Sequence, residues 1–220
     1  MARKINPSLP FSRLEFFMDG VFAISITLLV IEIKVPGYES LQKAGGLGNY
    51  LLSIWPHYLS YVISFFIIGV WWSSMNHFHL MVKKTNHTFN IINIFFLMTI
   101  AFIPFTTAIM GEYTTHTEFR QVAVTTYCIG YYLPSLAAVI MVLYAFGNHR
   151  LVDPSLSNKF MTRFRNKILI GNVMIISALI ASFFFPIIAI IITAFTFIMF
   201  FIPPEEPEYE DNTPKTESHD

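Results

Sequence analysis

The sequence predicts an all-α integral membrane protein with six transmembrane helices. Three observations carry that prediction. The composition is 54% apolar and only 13% charged, where soluble domains average about 25% charged residues. The deficit is concentrated in long apolar blocks, most of them near the ~20 residues that cross a bilayer as a helix. The basic residues alternate between loops that are rich and loops that are poor in them, as the two sides of a membrane demand.

The first block runs from about Ser12 to Val35 and is ended by Pro36-Gly37. The second runs from about Tyr50 to Trp72 and passes into a polar end, Asn76-His77-Phe78-His79. The third runs from about Asn86 to Met110 around Pro104, and the fourth from about Phe119 to Phe146 around Pro134. A last run, Ile168 to Pro203, holds no formal charge. It is far longer than the ~30 Å hydrocarbon core requires at about 1.5 Å per residue. Pro186 divides it into two spans, about Ile168 to Phe184 and Ile187 to Ile202.

With both termini cytoplasmic, the inside segments hold Arg3, Lys4, Arg13, Lys83, Lys84, Arg150, Lys159, Arg163, Arg165, Lys167 and Lys215. The outside segments hold only Lys34, Lys43 and Arg120. That bias sets the expected topology. Residues 1–202 then read as one transmembrane domain. Residues 203–220 read as an acidic, Pro-rich, disordered cytoplasmic tail, too polar to bury a core. The first apolar block does not read as a cleavable signal peptide, being long, interrupted by Asp19 and without a small-residue cleavage site.

Several chemistries are excluded at this stage. A single cysteine, Cys128, rules out an intramolecular disulfide and a multi-cysteine metal site. Gly-rich phosphate loops and dinucleotide fingerprints are absent. Zero net charge gives no ground for a nucleic-acid partner. His77 and His79 are two apart and diverge on a helix, so second-sphere hydrogen bonding suits them better than ligation, and no metal site is expected. Asn93, Thr106, Thr107 and Asn172 read as interhelical hydrogen-bonding groups. The hydroxyls after Pro104 read as satisfying the carbonyl freed at that kink. The carbonyl filter of ordinary potassium channels and a repeated-arginine voltage sensor are both missing.

The first block is the most informative. Ile24, Leu28 and Ile31 fall at i, i+4 and i+7, within about 60° of one another on a helix. Thr27 lies beside them, and Phe17 and Gly20 extend the face toward the N-terminus. Read alone, such a stripe fits ordinary lipid-facing or packing residues, or a pore if copies of the helix meet at an axis. Asp19 points nearly opposite the stripe. It reads equally as a headgroup-zone acid favoured by the helix dipole and as part of a buried network with Arg13, Trp71, Trp72, Asn76, His77 or His79. Arg13 lies nearly in line with the stripe, where it can face the cytoplasmic mouth.

The segment from Arg13 to Pro36 resembles the signature of the transmembrane protein 175 family, Arg-x-x-x-Phe-Ser-Asp at the start of its first helix. Arg13, Phe17 and Asp19 match, and Met18 replaces the serine. The likeness extends to the Trp and His near the end of the second block, the spacing from Asn93 to Pro104-Phe105, and Gly111-Glu112-Tyr113. The resemblance implies a potassium-permeable cation channel of the short prokaryotic branch, a homotetramer whose first helices line a central pore in the cell membrane. Potassium is then the permeant ion, and no cofactor is expected. By position, Ile24, Leu28 and Ile31 would form the apolar constriction and Thr27 would influence cation preference. Arg13, Phe17 and Asp19 would form a network with His77 and Trp71 or Trp72. The Met18 replacement removes a hydroxyl from it, since a thioether is only a weak acceptor. Three other readings remain: a proton-coupled carrier titrating Asp19, Glu32 and His77, a haem or redox protein using His57, His77 and His79, and a non-transporting scaffold.

Overall fold

A computed structural model describes residues 11–202 and 204–210. The N-terminal charges Arg3 and Lys4, Pro203, and tail residues 211–220 with Lys215 lie outside the described residues. The described chain is all-helical apart from two isolated β-bridges. Its helices are α1 (Phe11–Leu28), α2 (Tyr38–Ala44), α3 (Leu47–Ser53), α4 (Trp55–Met81), α5 (His87–Tyr113), α6 (Arg120–Phe146), α7 (Asn158–Ser182) and α8 (Pro186–Phe201). α1 with its continuation, α4, α5, α6 and α7 are long and apolar enough to cross a membrane. α8 is apolar but only 16 residues long. The chain is a multi-pass membrane protein.

Four boundaries differ from expectation. Leu29–Glu32 is a 3-10 turn rather than more α-helix. α2 and α3 fold the connection after α1 into two short helices, joined through Gly45 at φ +74° and Gly46 at φ +123°. Only glycine holds such angles at little steric cost, and the Gly45 and Gly46 amides close the end of α2 onto Gln42 O and Leu41 O. α4 starts at Trp55 and continues unbroken through the polar stretch to Met81. α7 starts at Asn158, ten residues before its apolar part, because its basic first turns remain helical. At Pro186 the expectation matches: α7 ends at Ser182 and the proline takes the first turn of α8, where its missing N–H is harmless.

α6 is the central helix, with 56% of its span buried, and α5 and α7 pack against it. α4 packs on α5, and α8 on α7. α1 lies outermost, against α4 and α5, with only 17% of its span buried. Asn172 Nδ2 donates to Ser135 Oγ at 3.1 Å, the expected link between α7 and α6. Asn93, Thr106 and Thr107 instead bond within their own helix, Asn93 to Phe89 O and both threonines to Ile103 O. Neither hydroxyl reaches Ile100 O, the carbonyl that Pro104 leaves without its helical donor.

The bundle has two ends. At the near end, where α1 begins, Val82 pairs with Val152 across the loops after α4 and α6. Residues 204–210 lie at this same end, held against α7 by Arg163. Within the segment that reads from sequence as a disordered tail, Glu205 and Glu208 pair with Arg163. At the far end, His57 Nε2 lies 3.4 Å from Glu112 Oε2, joining the start of α4 to the end of α5.

Candidate functional site

α1 has two faces. Met18, Phe22 and Leu29 are each 2% exposed and turn toward α4 and α5, with Phe22 packed 6.2 Å from Phe96 between ring centroids. Phe17, Ile24, Leu28 and Ile31 are exposed on the other face, Ile31 at 67%. The 3-10 turn sharpens this stripe. In that geometry side chains at i and i+3 eclipse, so Ile31 lines up over Leu28 more closely than an α-helix would place it. Thr27 is exposed beside them, and its hydroxyl donates back along the helix, 2.8 Å from Ala23 O and 3.1 Å from Ile24 O. Its proton is therefore spent locally, and its lone pairs are what it offers outward. Gly20 is open, with nothing within 4 Å of a Cβ placed there.

The second feature is the seat of Asp19. Trp72 Nε1 donates to Asp19 Oδ1 at 2.9 Å. A cavity of about 240 Å³ surrounds the pair, lined by Glu15, Phe16, Met18, Asp19 and Phe22 from α1 and Trp72, Met75, Asn76 and His79 from α4. The α4 set, and the α1 set apart from Phe16, fall at i, i+3, i+4 and i+7, so two helical faces meet here. His79 is 6% exposed. Met18, at the serine position of the signature, is buried in the core and adds apolar contact to this junction.

The structure thus brings Asp19 together with Trp72, and with His79 rather than His77. His77 lies on the opposite side of α4, stacked 6.1 Å from Phe164 of α7. Trp71 also turns inward, edge-on to Phe96 at 5.6 Å. Arg13 is exposed and makes no ion pair with Asp19 among the described residues. Phe17 is on the stripe face, 52% exposed, away from the junction. His79 was findable from sequence: seven residues from Trp72, it shares that tryptophan's face only if the helix runs on past the apolar block.

A larger cavity of about 340 Å³ lies at the far end, behind the 3-10 turn, lined by Leu29, Lys34, Tyr50, His57, Pro104 and Glu112 among others. His57 sits there, about 30 Å along α4 from His77. The three histidines of the haem reading therefore do not converge.

The profile of the family described as "Endosomal/lysosomal potassium channel TMEM175" matches residues 13–104, from α1 to the proline of α5. A potassium channel of Chryseobacterium sp. (strain P1-3) is 31% identical over 199 residues, covering 89% of this chain and 95% of the relative. The chain belongs to the TMEM175 family. A potassium channel of Chamaesiphon minutus is 45% identical over 111 residues, which is 50% of this chain and about half, 54%, of that relative. The crystal structure of a lysosomal potassium-selective channel TMEM175 homolog from Chamaesiphon minutus aligns with a TM-score of 0.75 at 31% identity. It covers 86% of this chain and 95% of that one. TMEM175 is an ion-channel family, so the chain is not an enzyme. The likeness to the solved channel reaches beyond the profile match into α6–α8, where sequence motifs are weak.

Proposed function

We propose that the chain is one subunit of a homotetrameric, potassium-permeable cation channel, with α1 of each subunit lining a central pore. The observation that carries this reading is the outer face of α1. It is an apolar stripe left exposed on the least buried span of a chain whose relatives are named potassium channels. Four copies of Ile24, Leu28 and Ile31 would form stacked apolar rings. Such rings exclude ions by dewetting and pass them when slightly dilated. Potassium sheds water more readily than sodium, and Thr27 lone pairs can replace part of the lost hydration. Six spans, with α8 the short sixth, and cytoplasmic termini complete the arrangement. Arg13, Lys83, Lys84 and the basic first half of α7 then face the cytoplasm.

The Trp72–Asp19 bond has a supporting role in this reading. It fixes the start of α1 against α4 and leaves the stripe free to face the axis. His77 lies on the opposite side of α4 from Asp19, so two of the three groups that the carrier reading titrates, Asp19, Glu32 and His77, are not neighbours. The test is ion flux into liposomes under potassium and sodium gradients, with Ile24→Asn beside the unaltered protein. A polar ring should raise conductance and lower the potassium preference. Identical flux and preference in the two proteins would remove Ile24 from the constriction.

A further inference from the structure

Residues 204–210 leave the end of α8 and cross the near end of α7. The Ser157 amide donates to Glu208 O at 2.8 Å, and the Glu210 amide to Ser155 O at 2.7 Å. Leu156 and Tyr209 pair between them as an antiparallel bridge. Arg163 donates from Nε to Glu205 Oε2 at 3.0 Å and from Nη2 to Glu208 Oε1 at 2.5 Å, so one guanidinium holds both carboxylates. Beneath the segment, Pro204 closes a small hollow against Trp71, His77, Phe164 and Lys167. The last turns of α4 are therefore held on two sides. Trp72 and His79 face α1, while Trp71 and His77 face the hollow under the tail.

We propose that residues 204–210 are an inhibitory clasp. Seated, the clasp fixes the near end of α4 and, through Trp72 and Asp19, the start of α1. Released, it frees α1 to shift and raises ion flux. The proposal rests on the channel reading above. The seat is built to open. Its ion pairs are at the surface, with Glu205 67% and Glu208 54% exposed, and Tyr209 contributes little burial at 48% exposed. Exposed pairs of this kind contribute little and weaken as salt rises. The backbone bonds at Ser155 and Ser157 hold the segment beside them, so the ion pairs are its charge-sensitive part, and a change in charge shifts the populations.

The test follows the tail and the flux together. Glu206 is exposed and takes no part in these bonds, so Glu206→Cys accepts a spin or fluorescent label. Cys128, the single native cysteine, is buried and does not compete. In the reconstituted full-length protein, Arg163→Gln should free the label and raise potassium flux. The paired change Glu205→Gln with Glu208→Gln should do the same. Either change removes both exposed pairs, and the increase should be roughly two- to fivefold. Arg163→Glu combined with Glu205→Arg and Glu208→Arg should reseat the label and return the flux. An impermeant salt should free the label in the unaltered protein and leave Arg163→Gln unchanged. A label that stays seated in Arg163→Gln overturns the seat. A freed label with unaltered flux overturns the inhibitory role. Absence of flux from every form overturns the channel reading itself, while the label still reports the seat.

Discussion

Trp72 and Asp19 are 53 residues apart in the chain and 2.9 Å apart in space. Their bond joins the outermost helix of the bundle to the helix behind it. Trp72→Phe keeps the aromatic contact and deletes the donor. A hydrogen bond to a charged group contributes about 1.5–3 kcal/mol when protected, and about 1 kcal/mol is expected at this half-open site. The melting temperature in detergent should fall by a few degrees. Asp19→Asn retains an acceptor oxygen and should lose less than Asp19→Ala. Equal melting of Trp72→Phe and the unaltered protein would show that the bond does not hold α1.

Thr27 tests the chemistry of the stripe. Thr27→Val preserves its shape and deletes the outward lone pairs. Potassium-to-sodium preference in liposome flux should fall roughly two- to fivefold, the equivalent of one modest hydrogen bond. Total conductance should change less than in Ile24→Asn. An unaltered preference would place selectivity elsewhere.

Gly130 tests the packing of α5 against α6. A Cβ there would stand 2.2 Å from Thr106 Oγ1 and 2.7 Å from its Cβ. Thr106 is buried and stiff at χ1, so it cannot swing aside. Gly130→Ala should destabilise by about 1–3 kcal/mol through overpacking. Thr106→Gly in the same chain should recover part of that loss, measured as paired melting curves. A Gly130→Ala protein that melts normally would contradict the close approach.

Asp153 gives a pH dependence in the loop between α6 and α7. Its Oδ1 accepts from the Ser155 amide at 2.9 Å and from Ser155 Oγ at 2.7 Å. These bonds hold its carboxyl below the usual value of 3.8. A depressed pKa stabilises the folded loop above the ordinary value, and that contribution is lost as pH falls through the folded one. Protection of the Ser155 amide, its exchange measured against the intrinsic rate at each pH, should therefore fall below about pH 4 in the unaltered protein. In Asp153→Ala that protection should be low at every pH. A flat pH profile in the unaltered protein would show that the turn does not depend on this carboxylate.

Sequence made the membrane class and the stripe legible because both are periodic properties of one segment. Pro186 was legible for a similar reason, since a proline acts on its own helix whatever surrounds it. The partner of Asp19 was harder to read. It depends on which face of α4 meets α1, and an early end to that helix made His77 as plausible as His79. The seat of residues 204–210 on α7 was not legible, because it needs Arg163 and the Glu205/Glu208 pair to meet across two folded elements. Met18 shows the limit from the other side. Its departure from the signature reads as a lost hydroxyl, yet the residue faces the core and contributes by packing.

α8 has a consequence for the surrounding lipid. Its 16 residues span about 24 Å, shorter than the ~30 Å of hydrocarbon that its neighbours can cross. As the sixth span proposed above, α8 would thin the bilayer at this flank or draw in its ends, each at a fraction of a kcal/mol per ångström. The annulus would then be uneven in thickness, pinched beside α8 and relaxed elsewhere. Short-chain lipids would gather at that pinch, and the protein would favour thinner regions of a mixed membrane.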